Sequence, residues 1–132
     1  MGMDIDKSVE YWIKSADHDL DTAESLITEK KFDWALFLGH LVLEKLLKAI
    51  FVKQKKLFPP KTHNLLFLID ELKLEMSAED LDFFEEVNTF NISTRYPDEQ
   101  FKFYQICTRE FTQEKFGKIK EKYQWLKDTI SI

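Results

Sequence analysis

Residues 32–55 form an apolar stretch that, as a helix, would carry hydrophobic side chains on nearly every side. A helix of this kind must be covered all round, so it is either the central helix of a bundle or is shared with a second subunit. Two consecutive prolines, Pro59 and Pro60, end the stretch, because neither can donate a backbone hydrogen bond. Its apolar residues include Leu36, Leu38, Leu41, Val42, Leu43, Leu46, Leu47, Ile50 and Phe51.

The rest of the chain has the same helical periodicity. Apolar residues recur at spacings of three and four, and only three glycines and three prolines occur in 132 residues. This pattern predicts an all-α protein, an up-and-down antiparallel bundle of four to five helices that forms a single domain over residues 1–132. A chain of this length can bury a core without support from disulfide bonds or a metal.

Caps and prolines predict the helix boundaries. A first helix is predicted at about residues 6–29, and a last one from near Thr112. Between them, Thr62 is the predicted N-cap of a short third helix, and Ser77 is that of a fourth. The stretch 91–107 is predicted to be irregular, because a proline and the polar residues around it interrupt a helix.

Ionisable residues interrupt the apolar stretch in a regular pattern. His40, Glu44 and Lys48 are spaced four residues apart, so on a helix they stack into one narrow polar stripe. If buried, an ion pair between Glu44 and Lys48 tends to break even against apolar replacements. Stability is therefore a weak reason for the stripe, and a role in binding or specificity is a fair hypothesis.

Charge is distributed unevenly along the chain. The formal net charge is −5, which argues against a general nucleic-acid binder. Residues 45–61 nevertheless contain six lysines and no acidic residue. A local cationic patch on an acidic protein points to a particular anionic ligand or partner. The simpler interpretation is a solvated helix end whose lysines complement the helix dipole.

The sequence gives no positive indication of catalysis or of a metal cofactor. None of the three histidines has the Glu-x-x-His spacing of di-iron bundles, and the glycines are too isolated for a phosphate-binding loop. The single cysteine, Cys107, is predicted to be a packed thiol rather than a nucleophile. No catalytic residue, metal ligand or cofactor is therefore predicted.

A cytoplasmic location is predicted, without membrane association. A single cysteine cannot form an internal disulfide bond, which suits a reducing compartment. The first residues are acidic and lack the basic and then apolar pattern of a signal peptide. Charged residues interrupt the longest apolar run, which is too short to cross a bilayer.

Four segments in a fixed order resemble the HEPN family, small helical-bundle domains named for their occurrence in higher eukaryotes and prokaryotes and for nucleotide binding. The first segment is SADHDLDTAESL, and the second is FDWALFLGHLVLEKLLKAIF, in which EKLLKA is the strongest match. THNL follows the prolines, and RYP follows the predicted fourth helix. The resemblance covers about residues 8–127.

The resemblance implies a homodimer and a partner of the nucleotidyltransferase fold, as in a toxin–antitoxin or related pair. Some family members bind nucleotides, and others are metal-independent ribonucleases. Those ribonucleases carry a histidine a few residues after an arginine, whereas this chain has no histidine after His63, and neither Arg95 nor Arg109 begins such a motif. Without that imidazole the usual proton transfer from a ribose 2′-hydroxyl is missing, so the standard ribonuclease assignment is rejected.

The family motifs also imply a binding site. The predicted nucleotide-binding residues are Lys45, Lys48, His63, Arg95 and Tyr96. The first four are expected to converge on a groove that receives a phosphate-bearing ligand, and Tyr96 is expected to stack on a base. Glu44 is expected to orient Lys48 or Arg95, and Pro97 to fix the loop.

Three functions remain open from the sequence. The first, which is the leading prediction, is a non-catalytic homodimer that binds a nucleotide, RNA or protein partner and acts with a nucleotidyltransferase-fold protein. The second is a divergent ribonuclease toxin that lacks the Arg…His motif. The third is a structural subunit whose cationic stretch docks onto an acidic protein surface.

Overall fold

The computed structural model describes residues 3–131, and six α-helices contain most of them. The helices are α1 Ile5–Thr28, α2 Phe32–Lys55, α3 Leu65–Leu72, α4 Ala78–Arg95, α5 Pro97–Ile106 and α6 Arg109–Ser131. The predicted all-α helical bundle is confirmed, although the described residues form six helices rather than four to five. In this part of the chain no helix is both long and apolar enough to cross a membrane.

Helix α2 is the central helix of the bundle. It packs against each of the other five helices, and 14 of its 24 residues are buried. Of the two arrangements predicted for this apolar helix, the structure therefore has the first, in which helices of the same chain cover it. Most apolar side chains of α2 are buried or partly buried within the chain, whereas Trp34 is 44% exposed, and the homodimer stays a prediction.

Helices α2 and α6 approach each other closely at Gly39. A Cβ atom built on Gly39 would lie 2.7 Å from Cδ1 of Ile119, a side chain that is itself fully buried. This close approach explains a glycine in the middle of a helix, where its intrinsic propensity is poor. The surrounding core draws on all six helices, with Ala16, Leu43, Leu68, Phe84, Phe103 and Leu126 among its members.

The N-cap of α3 is Asn64, so the prediction of Thr62 is wrong. The Asn64 side chain accepts hydrogen bonds from the amides two and three residues ahead, while the Thr62 hydroxyl accepts one from the Asn64 amide. Asn88 of α4 ties this helix end to the bundle, because its Nδ2 donates to Asn64 Oδ1 at 3.0 Å and its Oδ1 accepts from the Leu65 amide at 2.9 Å. The residue before Asn64 is thereby held beside α4.

The stretch 91–107 is mostly helical, which corrects the prediction of an irregular segment. Helix α4 continues to Arg95, and α5 begins at Pro97 after one extended residue, Tyr96. Proline disfavours a helical conformation in the residue before it, but it fits the first position of a new helix, where no amide hydrogen is needed. Pro97 therefore divides two helices instead of ending helical structure.

Helix α6 begins at Arg109, three residues before the predicted start near Thr112. The hydroxyl of Thr108 accepts a hydrogen bond from the amide of Phe111 at 3.2 Å, which is an N-cap contact. The predicted start is too late because α6 opens with two exposed, charged residues, Arg109 and Glu110, which give no apolar period. Further along, α6 contributes the buried residues Phe116, Ile119, Leu126 and Ile130 to the core.

Candidate functional site

The polar stripe of α2 lies inside the protein. His40, Glu44 and Lys48 have relative exposures of 0%, 4% and 7%. Lys48 Nζ lies 3.0 Å from Glu44 Oε2, so the ion pair favoured by their spacing is present and buried. The same Nζ lies 5.6 Å from the centre of the Trp12 ring on α1, within the range of a cation–π contact.

His63, in the loop before α3, contacts two of the three residues of the stripe. Its Nδ1 lies 2.8 Å from Glu44 Oε1, and its backbone carbonyl oxygen lies 2.8 Å from His40 Nε2. An ionised carboxylate can only accept, so Nδ1 carries a hydrogen and donates it to Glu44. When the His63 ring is neutral, Nε2 therefore carries no hydrogen and can accept a hydrogen bond. The His63 side chain is 54% exposed, so the ring is open to solvent.

A directed chain of hydrogen bonds connects His63 to α4 through His40. The His63 carbonyl can only accept, so His40 Nε2 donates to it, and Nδ1 of the neutral ring is an acceptor. Asn91 Nδ2 lies 3.3 Å from this Nδ1 and donates to it, while Asn91 Oδ1 accepts from Arg95 Nε at 2.8 Å. A carbonyl at one end and a guanidinium at the other fix the direction of all three bonds.

Burial keeps His40 neutral. It lowers the pKa of His40 below the usual 6.5, because the core solvates an imidazolium poorly. The Glu44 carboxylate, 3.9 Å from Nδ1, acts in the opposite direction but does not outweigh burial. A proton on Nδ1 would also face the amide hydrogens of Asn91, so protonation would break the hydrogen bond between His40 and Asn91 of α4.

Arg95 forms the exposed edge of these contacts. One terminal nitrogen lies 3.4 Å from His63 Nε2, and Cζ lies 5.7 Å from the centre of the Phe37 ring. No carboxylate among residues 3–131 forms an ion pair with it. We call the six connected residues the polar cluster: His40, Glu44, Lys48, His63, Asn91 and Arg95. Glu44 and Lys48 pair with each other, so Arg95 is the one cation of the polar cluster that has no carboxylate partner among the described residues.

The structure brings together three of the five predicted nucleotide-binding residues. Lys48, His63 and Arg95 all belong to the polar cluster. Glu44, expected to orient Lys48 or Arg95, contacts Lys48 and His63. Tyr96 follows Arg95 between α4 and α5 and is 60% exposed. Nucleotide binding by these residues stays a prediction.

Lys45 lies outside the polar cluster, contrary to the groove expected for it. Its Nζ lies 2.6 Å from Oδ2 of Asp19 on α1, because one residue along a helix turns the side chain by about 100° and Lys45 therefore faces a different neighbour from Glu44. Pro97 also differs from expectation, since it is the first residue of α5 and does not belong to a loop.

Two members of the polar cluster were missing from the predicted site. Asn91 precedes Arg95 by four residues, a spacing that places both on one face of a helix, and this signal could have identified it. His40 is visible in the sequence as the first residue of the stripe. Its contacts with His63 and Asn91 depend on how the helices pack, which the spacing does not reveal.

The structure also shows the surroundings of the Cys107 thiol and of the residue types that bind metals. Cys107 is buried, and burial, with the nearby charge of Asp33, raises its pKa to about 12. The thiol therefore stays protonated near neutral pH, as the prediction of a packed thiol requires. Within residues 3–131, no group of three or more His, Cys, Asp or Glu side chains is arranged to hold a metal ion.

Comparisons with known proteins support the observed architecture. The family model described as HEPN domain matches residues 9–129 of the chain. The crystal structure of TT1696 from Thermus thermophilus is similar, with a TM-score of 0.76, 19% sequence identity, and coverage of 91% of this chain and 96% of that chain. At this identity the likeness shows a common fold. No curated protein matches the sequence.

Proposed function

The chain belongs to the HEPN domain family, and we propose that it is a non-catalytic module that binds the phosphate of a nucleotide or RNA at Arg95. We propose further that it forms a homodimer and acts with a nucleotidyltransferase-fold partner, in a toxin–antitoxin or related pair. The partner and the dimer rest on the family resemblance. The phosphate site rests on the geometry of the polar cluster.

The observation that carries the proposal is a fixed guanidinium without a carboxylate partner. A guanidinium has five N–H donors. In Arg95 the Nε donor is bonded to Asn91, and one terminal nitrogen faces His63 Nε2. The remaining donors have no partner among residues 3–131. Forked hydrogen bonds to a phosphate are the interaction for which such a group is best suited.

Arg95→Ala is expected to weaken nucleotide binding at least about tenfold, because charge-assisted hydrogen bonds to phosphate are lost. Titration of the chain with ATP, GTP and short RNAs, followed by backbone amide chemical shifts, measures the affinity. In the wild-type chain the shifts should concentrate on His63, Arg95 and the residues next to them. The absence of such shifts at millimolar ligand would remove the nucleotide proposal.

Arg109→Ala is the matched control for this experiment. It removes the same charge from the only other arginine, whose guanidinium lies 5.7 Å from the centre of the Phe32 ring and is not part of the polar cluster. Its nucleotide affinity should equal that of the wild-type chain. Equal losses in both variants would mean that ligands respond to net charge and not to a site at Arg95.

A ribonuclease is the second candidate function, and one contact favours it. The Arg-to-His sequence motif is absent, but the fold brings an imidazole from earlier in the chain to Arg95, since His63 Nε2 lies 3.4 Å from the guanidinium. Glu44 holds the other ring nitrogen. In this candidate the ribose 2′-oxygen attacks phosphorus, its proton passes to His63 Nε2, and the 5′-oxygen leaves with a proton from solvent.

Cleavage of a short RNA by the purified chain tests this candidate. If it is correct, His63→Ala should lower the rate at least about a hundredfold, because a general base is lost. RNA with a single 2′-deoxy nucleotide should resist cleavage at that position, because the attacking oxygen is missing. Cleavage that persists in His63→Ala would contradict His63 as the general base, and an inactive wild-type chain would exclude the candidate.

A further inference from the structure

The cationic stretch 45–61 is only partly used within the chain. Two of its six lysines form the ion pairs described above, and Lys53 donates a hydrogen bond to the backbone carbonyl of Ile130. The other three are exposed, and no carboxylate within residues 3–131 pairs with them: Lys55, Lys56 and Lys61. The unused positive charge therefore lies at the end of α2 and in the loop that follows it.

The same loop presents two apolar side chains to solvent. Leu57 is 61% exposed and Phe58 is 76% exposed, which is the highest exposure of any large hydrophobic residue in the described chain. Exposed apolar groups surrounded by polar ones commonly mark interaction sites. We call residues 55–61, which are the last residue of α2 and the loop after it, the docking loop.

Both ends of the docking loop are fixed. The amide of Lys56, which has a left-handed backbone conformation, donates to the Val52 carbonyl at 2.9 Å. Pro59 and Pro60 restrict the backbone further along, and the Thr62 amide donates to the Pro60 carbonyl at 3.0 Å. A loop already ordered in the free chain loses little conformational entropy on binding, which favours a partner with a shaped surface.

We infer that the docking loop binds an acidic protein segment with an apolar anchor. The anchor would pack against Phe58 and Leu57 while neighbouring carboxylates pair with the three lysines. Aromatic side chains at the centre of a patch, with charges at the rim, are typical of residues that dominate protein interfaces. A positive loop on a chain of net charge −5 also orients an acidic partner as it approaches. The inference does not depend on the phosphate site at Arg95.

Two other anionic partners fit the docking loop less well. Polybasic membrane sites contain about four to eight Lys or Arg residues, whereas this loop has three lysines with two apolar side chains. Single-stranded nucleic acids stack their bases on aromatic rings along an extended positive groove. Leu57 has no ring, and the rest of the chain has an excess of acidic residues.

Selection from a random dodecapeptide library on the immobilised full chain tests the inference. We expect the enriched peptides to share an apolar residue flanked by at least two acidic ones. For a synthetic peptide of that consensus, Phe58→Ala should raise the dissociation constant at least about tenfold. Joint replacement of Lys55, Lys56 and Lys61 by glutamine should also weaken binding and reduce its dependence on salt.

Matched variants control for exposed rings and for charge. Phe101→Ala removes a ring that is 65% exposed on α5, and replacement of Lys7, Lys31 and Lys102 by glutamine removes three exposed charges elsewhere. Both variants should bind the peptide as the wild-type chain does, and so should Arg95→Ala. Circular dichroism and thermal unfolding verify that each variant is folded.

Three results would overturn the inference. One is a selection that enriches no acidic consensus, and another is a peptide that binds Phe58→Ala as tightly as the wild-type chain. The third is a chain that binds no peptide but binds an anionic membrane or a single-stranded RNA in a manner that depends on Phe58. The probes for these two ligands are vesicles of phosphatidylcholine with one quarter phosphatidylglycerol, and a twelve-nucleotide oligouridine.

Discussion

Replacing Glu44 by leucine is expected to lower the free energy of unfolding by about 3–5 kcal/mol. Glu44 is 4% exposed and pairs with Lys48 at 3.0 Å. Leucine removes the carboxylate but leaves the Lys48 ammonium, 7% exposed, without a compensating charge in the core. Urea unfolding followed by circular dichroism should show a lower midpoint at an unchanged slope.

The double variant Glu44→Leu with Lys48→Met separates the lost pairing from other effects. Replacing both charges by apolar groups of similar volume is often neutral or even stabilising. We therefore expect the double variant to recover most of the stability that the single variant loses. If both lose the same amount, the hydrogen bond to His63 or the packing around residue 44 carries the effect, and the ion-pair interpretation is wrong.

The long helices could be predicted because their patterns are local. The sequence predicts one helix at about residues 6–29 and another at about 32–55, and the structure has Ile5–Thr28 and Phe32–Lys55. A continuous run of helical spacing, ended by a pair of prolines in the second case, defines such a helix whatever packs against it.

Helix α5 could not be predicted, for a physical reason. Proline ends one helix and starts the next equally well, so Pro97 alone does not decide between a loop and a new helix. Within α5 only Phe103 is buried, while Phe101 and Tyr104 are exposed. The aromatic residues therefore show no amphipathic period, and the segment resembles a loop in sequence.

The candidate site was only partly visible for a related reason. The stripe along α2 is a local pattern and could be predicted, whereas Asn91 meets His40 across 51 residues of sequence. Such a contact depends on which helix packs against which face of α2. The contact of Lys45 was unpredictable for the same reason. Lys45 belongs to the cationic stretch, but it faces Asp19 of α1 and not the polar cluster.

Replacing His40 by leucine is expected to lower the free energy of unfolding by about 1–3 kcal/mol at pH 8, because one buried and one partly buried polar group lose a partner. The His63 carbonyl loses its donor, and the Asn91 amide loses its acceptor. Leucine is close to histidine in size, so a cavity contributes little. Urea unfolding measures the difference, and a loss below about 0.5 kcal/mol would mean that water satisfies both groups.

The same substitution should remove a pH dependence from the stability of the chain. Burial lowers the pKa of folded His40 below the usual 6.5 of the unfolded chain, against the opposing charge of Glu44. Between the two pKa values the unfolded chain binds a proton that the folded chain does not. The stability supplied by neutral His40 is therefore complete above about pH 6.5 and is lost as the pH falls through that window.

Urea unfolding at a series of pH values between 8 and 5 tests this sign. The free energies of unfolding of the wild-type chain and of His40→Leu should converge as the pH falls, because only the wild-type chain gives up this contribution. His18→Gln, which removes an exposed histidine of α1 outside the polar cluster, is the control for the loss of a histidine as such. A His40→Leu profile that runs parallel to that of the wild-type chain would contradict a neutral, buried His40. The directed chain of hydrogen bonds from His63 to Arg95 would then lose its basis, since it requires an unprotonated Nδ1.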